Sequence, residues 1–264
     1  MNNTFNIHRF GLLLKKTLLE RPMQLFGLTA LSLSVVFIVY VLGKMLAGFE
    51  EGQNISFMLG LVGGGCFLAS FVFSYFTTNA MGSSYITLPA SAFEKWLCGV
   101  LISGVFYVVL FLLFYRFIDI LFVGIYHRSL DASGPFYRQL YDQVQIFPYD
   151  GFVANKAILL FVNFSGAMLV GSLYFNRVNF IKVALLICGF WLGAWVLNLL
   201  IARALIQQVN NAMPYWLIWV DVNKDEGRIE LPGNIARVVS IFIQFIIPAT
   251  LWMLAWLRLK EKEF

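Results

Sequence analysis

Charge is scarce in this sequence. Only 12% of its residues are Asp, Glu, Lys or Arg, against about 25% in an ordinary soluble chain. Hydrophobic residues make up 60% and the mean hydropathy is +0.78. So few charges cannot cover a soluble body of 264 residues, which makes the class an integral membrane protein. Cysteine is scarce as well. Cys66, Cys98 and Cys188 stand in or beside apolar runs at spacings that fit no metal motif and no disulfide framework, so they read as packing residues.

Other absences bear on chemistry. The two histidines, His8 and His127, are predicted on opposite sides of the membrane, which excludes a histidine-based metal or catalytic cluster. A G-x-x-x-x-G-K-[ST] loop, the backbone cradle for nucleotide phosphates, does not occur, nor does a serine-hydrolase signature. The chain is therefore not read as an enzyme, and no catalytic, cofactor-binding or metal-ligating residue is assigned. A cleavable signal is not expected either. The first long apolar run starts near Gln24, and the basic residues ahead of it are not followed by a small-residue cleavage site.

What the sequence does have is apolar runs of membrane-crossing length. About 20 apolar residues cross a ~30 Å hydrocarbon core. Six runs qualify, at 24–43, 55–76, 97–118, 157–175, 183–202 and 238–257. The expected fold is an all-α membrane protein of two parts, an N-terminal stretch 1–23 and a six-span domain 24–264. In the first part Ile7, Phe10, Gly11, Leu14 and Leu18 fall on one helical face, with Arg9, Lys16 and Glu20 opposite. This predicts an amphipathic helix lying in the bilayer surface, and Arg21-Pro22 argues against its running unbroken into the first span.

With six spans, both chain ends share a side with residues 85–96 and 176–182. Lys and Arg are denser on that side, while Glu50, Glu51, Asp131, Asp142, Asp150 and the acidic cluster 221–230 lie on the other. The termini are therefore expected in the cytoplasm. Two segments on the far side are long. Residues 127–155 read as a small ordered loop. Within 203–237, the stretch MPYWLIWV (213–220) is too short to cross and reads as a re-entrant or interfacial piece, with an ordinary hairpin as the alternative.

Polar residues at membrane depth are few. Arg116 and Asp119 share a helix face at i and i+3 and can pair near the outer boundary, either as a structural pair or beside a substrate path. Asn163, Asn198 and Gln244 face either other helices or a water-filled route. Two G-x-x-x-G patterns, Gly60/Gly64 and Gly189/Gly193, permit close helix approach.

The most specific stretch is YITLPASAFEKW (85–96), a polar island between the second and third spans. Ser91 and Glu94 fit a capping box, with Pro89 setting where the helix begins. A short helix would start in water and lead into the third span, exposing Phe93, Glu94 and Lys95 as a docking knob or merely capping that span.

LPASAFEKW (88–96), together with GSLYFNRVNFIKV (171–183) and RFGLLLKK (9–16), resembles the ABC-2-type transporter permeases, in particular a short group from Bacteroidetes-like bacteria. The resemblance covers most of the chain in order and topology. It implies a permease subunit of an ABC exporter in the bacterial inner membrane, paired with a second copy of itself and with two copies of a cytoplasmic ATPase subunit. ATP and Mg would be bound by that ATPase, and this chain would carry no cofactor and bind no nucleic acid. It further implies that 5–19 is a connecting helix and that 88–96 is a cytoplasmic coupling helix. Pro89, Ser91, Phe93, Glu94 and Lys95 would then be the ATPase-coupling residues, and 213–220 would lie in a re-entrant segment. The loop 127–155 has no role in that pattern. The competing function is a non-transporting membrane sensor or assembly protein that recruits a cytoplasmic partner.

Overall fold

The computed structural model describes residues 5–262 apart from 21, 78, 176–178, 206–208, 214–216, 223–224 and 231–232. The expected break at Arg21, part of the 176–182 turn and residues 214–216 of the 213–220 stretch lie outside the described residues.

A surface helix, α1 (Ile7–Glu20), precedes the first span, α2 (Pro22–Leu46). A tight turn leads into α3 (Phe49–Val72), where Gly48 takes φ 102°, a conformation in which a Cβ would be strained. A short helix α4 (Asn79–Ile86) fills the island before α5 (Ala92–Ser129), which is far longer than the membrane needs. Beyond it come a short α6 (Tyr137–Gln143), then α7 (Phe152–Tyr174) and α8 (Asn179–Leu205). Strands β1 (Val209–Met213), β2 (Leu217–Val222) and β3 (Asp225–Glu230) precede the last helix, α9 (Gly233–Glu261). Among the described residues six helices are long and apolar enough to cross a membrane, so the chain is a helical, multi-pass membrane protein. Because the spans alternate in direction, α1, α4, the start of α5 and the end of α9 gather at one face. The strands and residues 130–151 lie at the other.

The strands correct one expectation for the part of 213–220 that is described. Met213 and residues 217–220 are strand, not a re-entrant helix. β1 and β2 pair antiparallel, with Met213 opposite Leu217, and β3 adds to β2 in register from Leu217–Glu230 to Val222–Asp225. Antiparallel pairing satisfies the backbone of an apolar run too short to span, which is what the hairpin alternative required.

The core lies among α2, α3, α5 and α7. Tyr40, Phe57, Tyr107, Phe111, Tyr115 and Leu169 are fully buried there. Without water between helices, close packing and hydrogen bonds supply the association energy. Gly60 and Gly64 make this possible, since a Cβ on either would overlap Phe111 or the Tyr107 hydroxyl. They lie in a π-helical stretch, Leu59–Gly64, and the Gly60 carbonyl accepts a hydrogen bond from Tyr107 Oη at 2.7 Å. The first G-x-x-x-G pattern thus packs within the chain. The second does not: a Cβ added at Gly189 or Gly193 on α8 would meet no other part of the described chain within 4 Å. The most hydrophobic part of α8 has 0% of its residues buried, so this helix presents an open apolar face.

Candidate functional site

The island folds as a junction of three helices. Pro89 is exposed at the centre of a three-residue turn closed by Ala90 N donating to Leu88 O at 2.7 Å, which its fixed φ favours. Ser91 then takes extended backbone angles as the N-cap of α5. Both halves of the capping box are present. Glu94 N donates to Ser91 Oγ at 3.2 Å, and Ser91 N donates to Glu94 Oε2 at 2.8 Å.

The other carboxylate oxygen of Glu94 serves a second helix. Oε1 accepts from Asn6 N at 2.7 Å and from an Arg9 guanidinium nitrogen at 3.0 Å. Asn6 in turn caps α1, its Oδ1 accepting from His8 N at 2.9 Å. One carboxylate therefore binds at the N-termini of both α1 and α5, where backbone donors and the helix dipoles favour negative charge. Beside it, Lys95 Nζ donates to Ile86 O at 2.9 Å, placing a cation at the C-terminus of α4. Phe5, Phe93 and Trp96 bridge α1 and α5, with Phe5–Phe93 edge-on at 6.1 Å and Phe93–Trp96 at 5.5 Å.

This arrangement corrects the picture of a knob made of Phe93, Glu94 and Lys95. Glu94 and Lys95 are 0% and 1% exposed, because their charged ends are consumed by helix termini, and only Phe93, at 41%, faces outward. The outward surface of this junction includes Pro89, Phe93 and the exposed face of α1.

A second polar cluster lies near the opposite face, around Arg116 and Asp119. Among the described residues no ion pair joins the two. They grip one residue of the 130–151 segment instead. Asp119 Oδ2 accepts from Phe147 N at 2.7 Å, and an Arg116 guanidinium nitrogen donates to Phe147 O at 3.1 Å. The i, i+3 spacing that allows them to pair also lets them straddle a peptide. Asp119 Oδ1 accepts from Tyr40 Oη at 2.8 Å and Gln53 Nε2 at 2.6 Å, drawing in α2 and α3. The Phe147 ring stacks on Phe57 at 4.5 Å, and Arg116 lies 4.0 Å over the Tyr149 ring. His127 Nε2 contacts Val144 O at 2.8 Å while its ring stacks on Tyr141 at 3.8 Å. The long loop is thus a strap tied down at several points.

The remaining polar residues do not gather into one path. Asn163 Nδ2 donates to Leu159 O at 2.9 Å and Ile243 O at 3.3 Å, joining α7 to α9. Gln244 is exposed and donates to Ser240 Oγ on its own helix at 3.0 Å. Asn198 is half-buried on α8. Among the described residues no cluster of three or more His, Cys, Asp or Glu could hold a metal ion.

Asn6, Tyr40, Gln53 and Phe147 were not singled out from the sequence, and Arg9 was read only as part of the polar face of the first helix, although each touches a residue that was. The only sequence signal for them is that Glu94 and Asp119 sit in apolar surroundings and need partners. No protein-family model matches the chain, and no curated protein or solved structure matches it significantly.

Proposed function

We propose that this chain is the membrane-spanning subunit of an ABC exporter, which moves substrate while ATP is hydrolysed on a separate cytoplasmic ATPase. The observation that carries this reading is the double use of Glu94. By binding the N-termini of α1 and α5 together, it makes the surface helix, the island and a membrane span one mechanical unit at one face. A push from a soluble partner on Pro89 and Phe93 would reach α5 along its axis, without loss in a loose loop. Such a partner shifts the spans only if it contacts the two end states differently. The open face of α8 on its Gly189/Gly193 side, away from the side packed near α7, supports a second copy of the chain, with the path formed between copies. Lys and Arg density supports a cytoplasmic junction in a bacterial inner membrane.

The test is a photocrosslinker placed at position 93 in living cells, with the captured proteins identified. Capture of a protein carrying a G-x-x-x-x-G-K-[ST] loop, whose ATPase activity rises in the presence of this chain, is the expected result. Capture of a soluble protein without nucleotide hydrolysis would replace transport by recruitment.

A further inference from the structure

A groove of about 620 Å³ runs between α7, α8 and α9, within the size range of small-molecule sites. Phe164, Leu186, Phe190 and Ile243 are among its walls, and the Asn163 amide donates to the carbonyls of Leu159 and Ile243. The groove therefore offers almost nothing to a polar ligand. Leu186 and Phe190 are exposed, so it opens sideways at the depth of the spans, where a bilayer supplies acyl chains.

One end of the groove differs. Its wall there is Tyr174 and Phe175, where α7 ends at the face that carries α1. Each ring holds a cation: Arg258 Cζ lies 4.5 Å from the Tyr174 centroid, and Lys182 Nζ lies 5.4 Å from that of Phe175. Lys262 stands close by, 4.4 Å over Phe76. Burial first, and the neighbouring Arg258 charge second, hold its amine below the ordinary lysine range. The carboxylate facing this group is Glu261, bound to an Arg258 guanidinium nitrogen at 2.6 Å. Among the described residues, these three cations against one carboxylate leave this end positive, at the level where an apolar slot meets the headgroups.

We infer that this groove holds an anionic phospholipid of the adjoining leaflet, with an acyl chain along α7, α8 and α9 and its phosphate between Lys182 and Arg258. Aromatic rings under the two cations fix their positions without neutralising them. The assignment stands apart from transport, because it needs only the bilayer and no ATPase.

The experiment uses the full chain, delipidated in detergent and offered equal amounts of phosphatidylglycerol and phosphatidylcholine with identical acyl chains. Retained lipid is counted by native mass spectrometry. The wild type is expected to keep phosphatidylglycerol in preference. Lys182→Gln and Arg258→Gln should each weaken that retention about fivefold, the usual weight of one cation near an anionic headgroup. Glu261→Gln should strengthen it, a gain that misfolding cannot produce. Ala167→Phe, which fills the groove, should lower retention of both lipids while elution and melting stay those of the wild type. Equal retention of the two lipids by the wild type would overturn the inference. So would a preference unchanged in the Lys182→Gln/Arg258→Gln double variant, or retention unaffected by Ala167→Phe.

Discussion

Asp119 and Phe147 meet through a single hydrogen bond, from the Phe147 backbone N–H to Asp119 Oδ2 at 2.7 Å, one of the bonds that tie the strap to the bundle. Asp119 is wholly buried, and all three groups around its carboxylate are donors: Tyr40 Oη, Gln53 Nε2 and Phe147 N. An acceptor-only side chain fits such a site. An amide does not, since it turns an NH2 towards a donor.

Asp119→Asn should therefore destabilise the protein by about 2–3 kcal/mol, the cost of stranding buried hydrogen-bonding groups. Asp119→Ala should cost at least as much. Thermal unfolding in detergent reads the global effect, and amide exchange at 144–149 reads the strap. A variant with wild-type exchange there would show that ring packing by Phe147, not the carboxylate, holds the strap.

Arg9 and Glu94 form an asymmetric pair, and the asymmetry predicts unequal losses. The Arg9 side chain is 31% exposed and that of Glu94 is 0%. Solvent screens Arg9 in part, and Glu94 keeps its two backbone donors without it, so Arg9→Ala should cost only about 1–2 kcal/mol. Glu94→Ala also removes the acceptor of Asn6 N and Ser91 N and should cost about 2–4 kcal/mol. Faster amide exchange at residues 6–9 in Glu94→Ala, and little change in Arg9→Ala, would mark the carboxylate as the tie. Equal effects would mean that the guanidinium carries the junction.

What could be read from the sequence was local, and what could not was distant. The capping box needs only Ser91 and Glu94, three residues apart, and both of its bonds are present. The same carboxylate also binds Asn6, 88 residues away, which no spacing rule reveals. Span positions follow from long apolar runs, and six suitable helices are found. Arg116 and Asp119 show the limit of the i, i+3 rule. Adjacency on a helix allows a pair, but the orphan peptide groups of Phe147 compete for the same two side chains and win. The 213–220 stretch is similar. Its apolar character suggested a re-entrant or interfacial piece, whereas Met213 and residues 217–220 pair as antiparallel strands, a pattern set by neighbours along the chain and not by hydropathy.

Lys95 and Ile86 give a third prediction. The buried Lys95 ammonium donates to the last carbonyl of α4. Lys95→Met keeps most of the volume but removes the charge and the donor, and should cost about 1–2 kcal/mol. The loss should show as faster exchange at 83–87 with α1 unaffected, because α1 is held by Glu94. Exchange rising equally in α1 and α4 would show that the two ties are not separable.

The two glycine pairs separate packing within the chain from packing between chains. Gly64→Ala drives a methyl group into the Tyr107 hydroxyl and should cost about 1–3 kcal/mol in any oligomeric state. Gly189→Ala and Gly193→Ala meet nothing within the chain. On helix propensity alone each should stabilise α8, by up to ~1 kcal/mol. If a second copy covers α8, a larger residue there must act in the opposite sense. Gly189→Leu/Gly193→Leu would then lower the dimer fraction in crosslinking or light scattering, with the monomer still folded. A dimer that survives both leucines would move the second copy to another face, and with it the path proposed between copies.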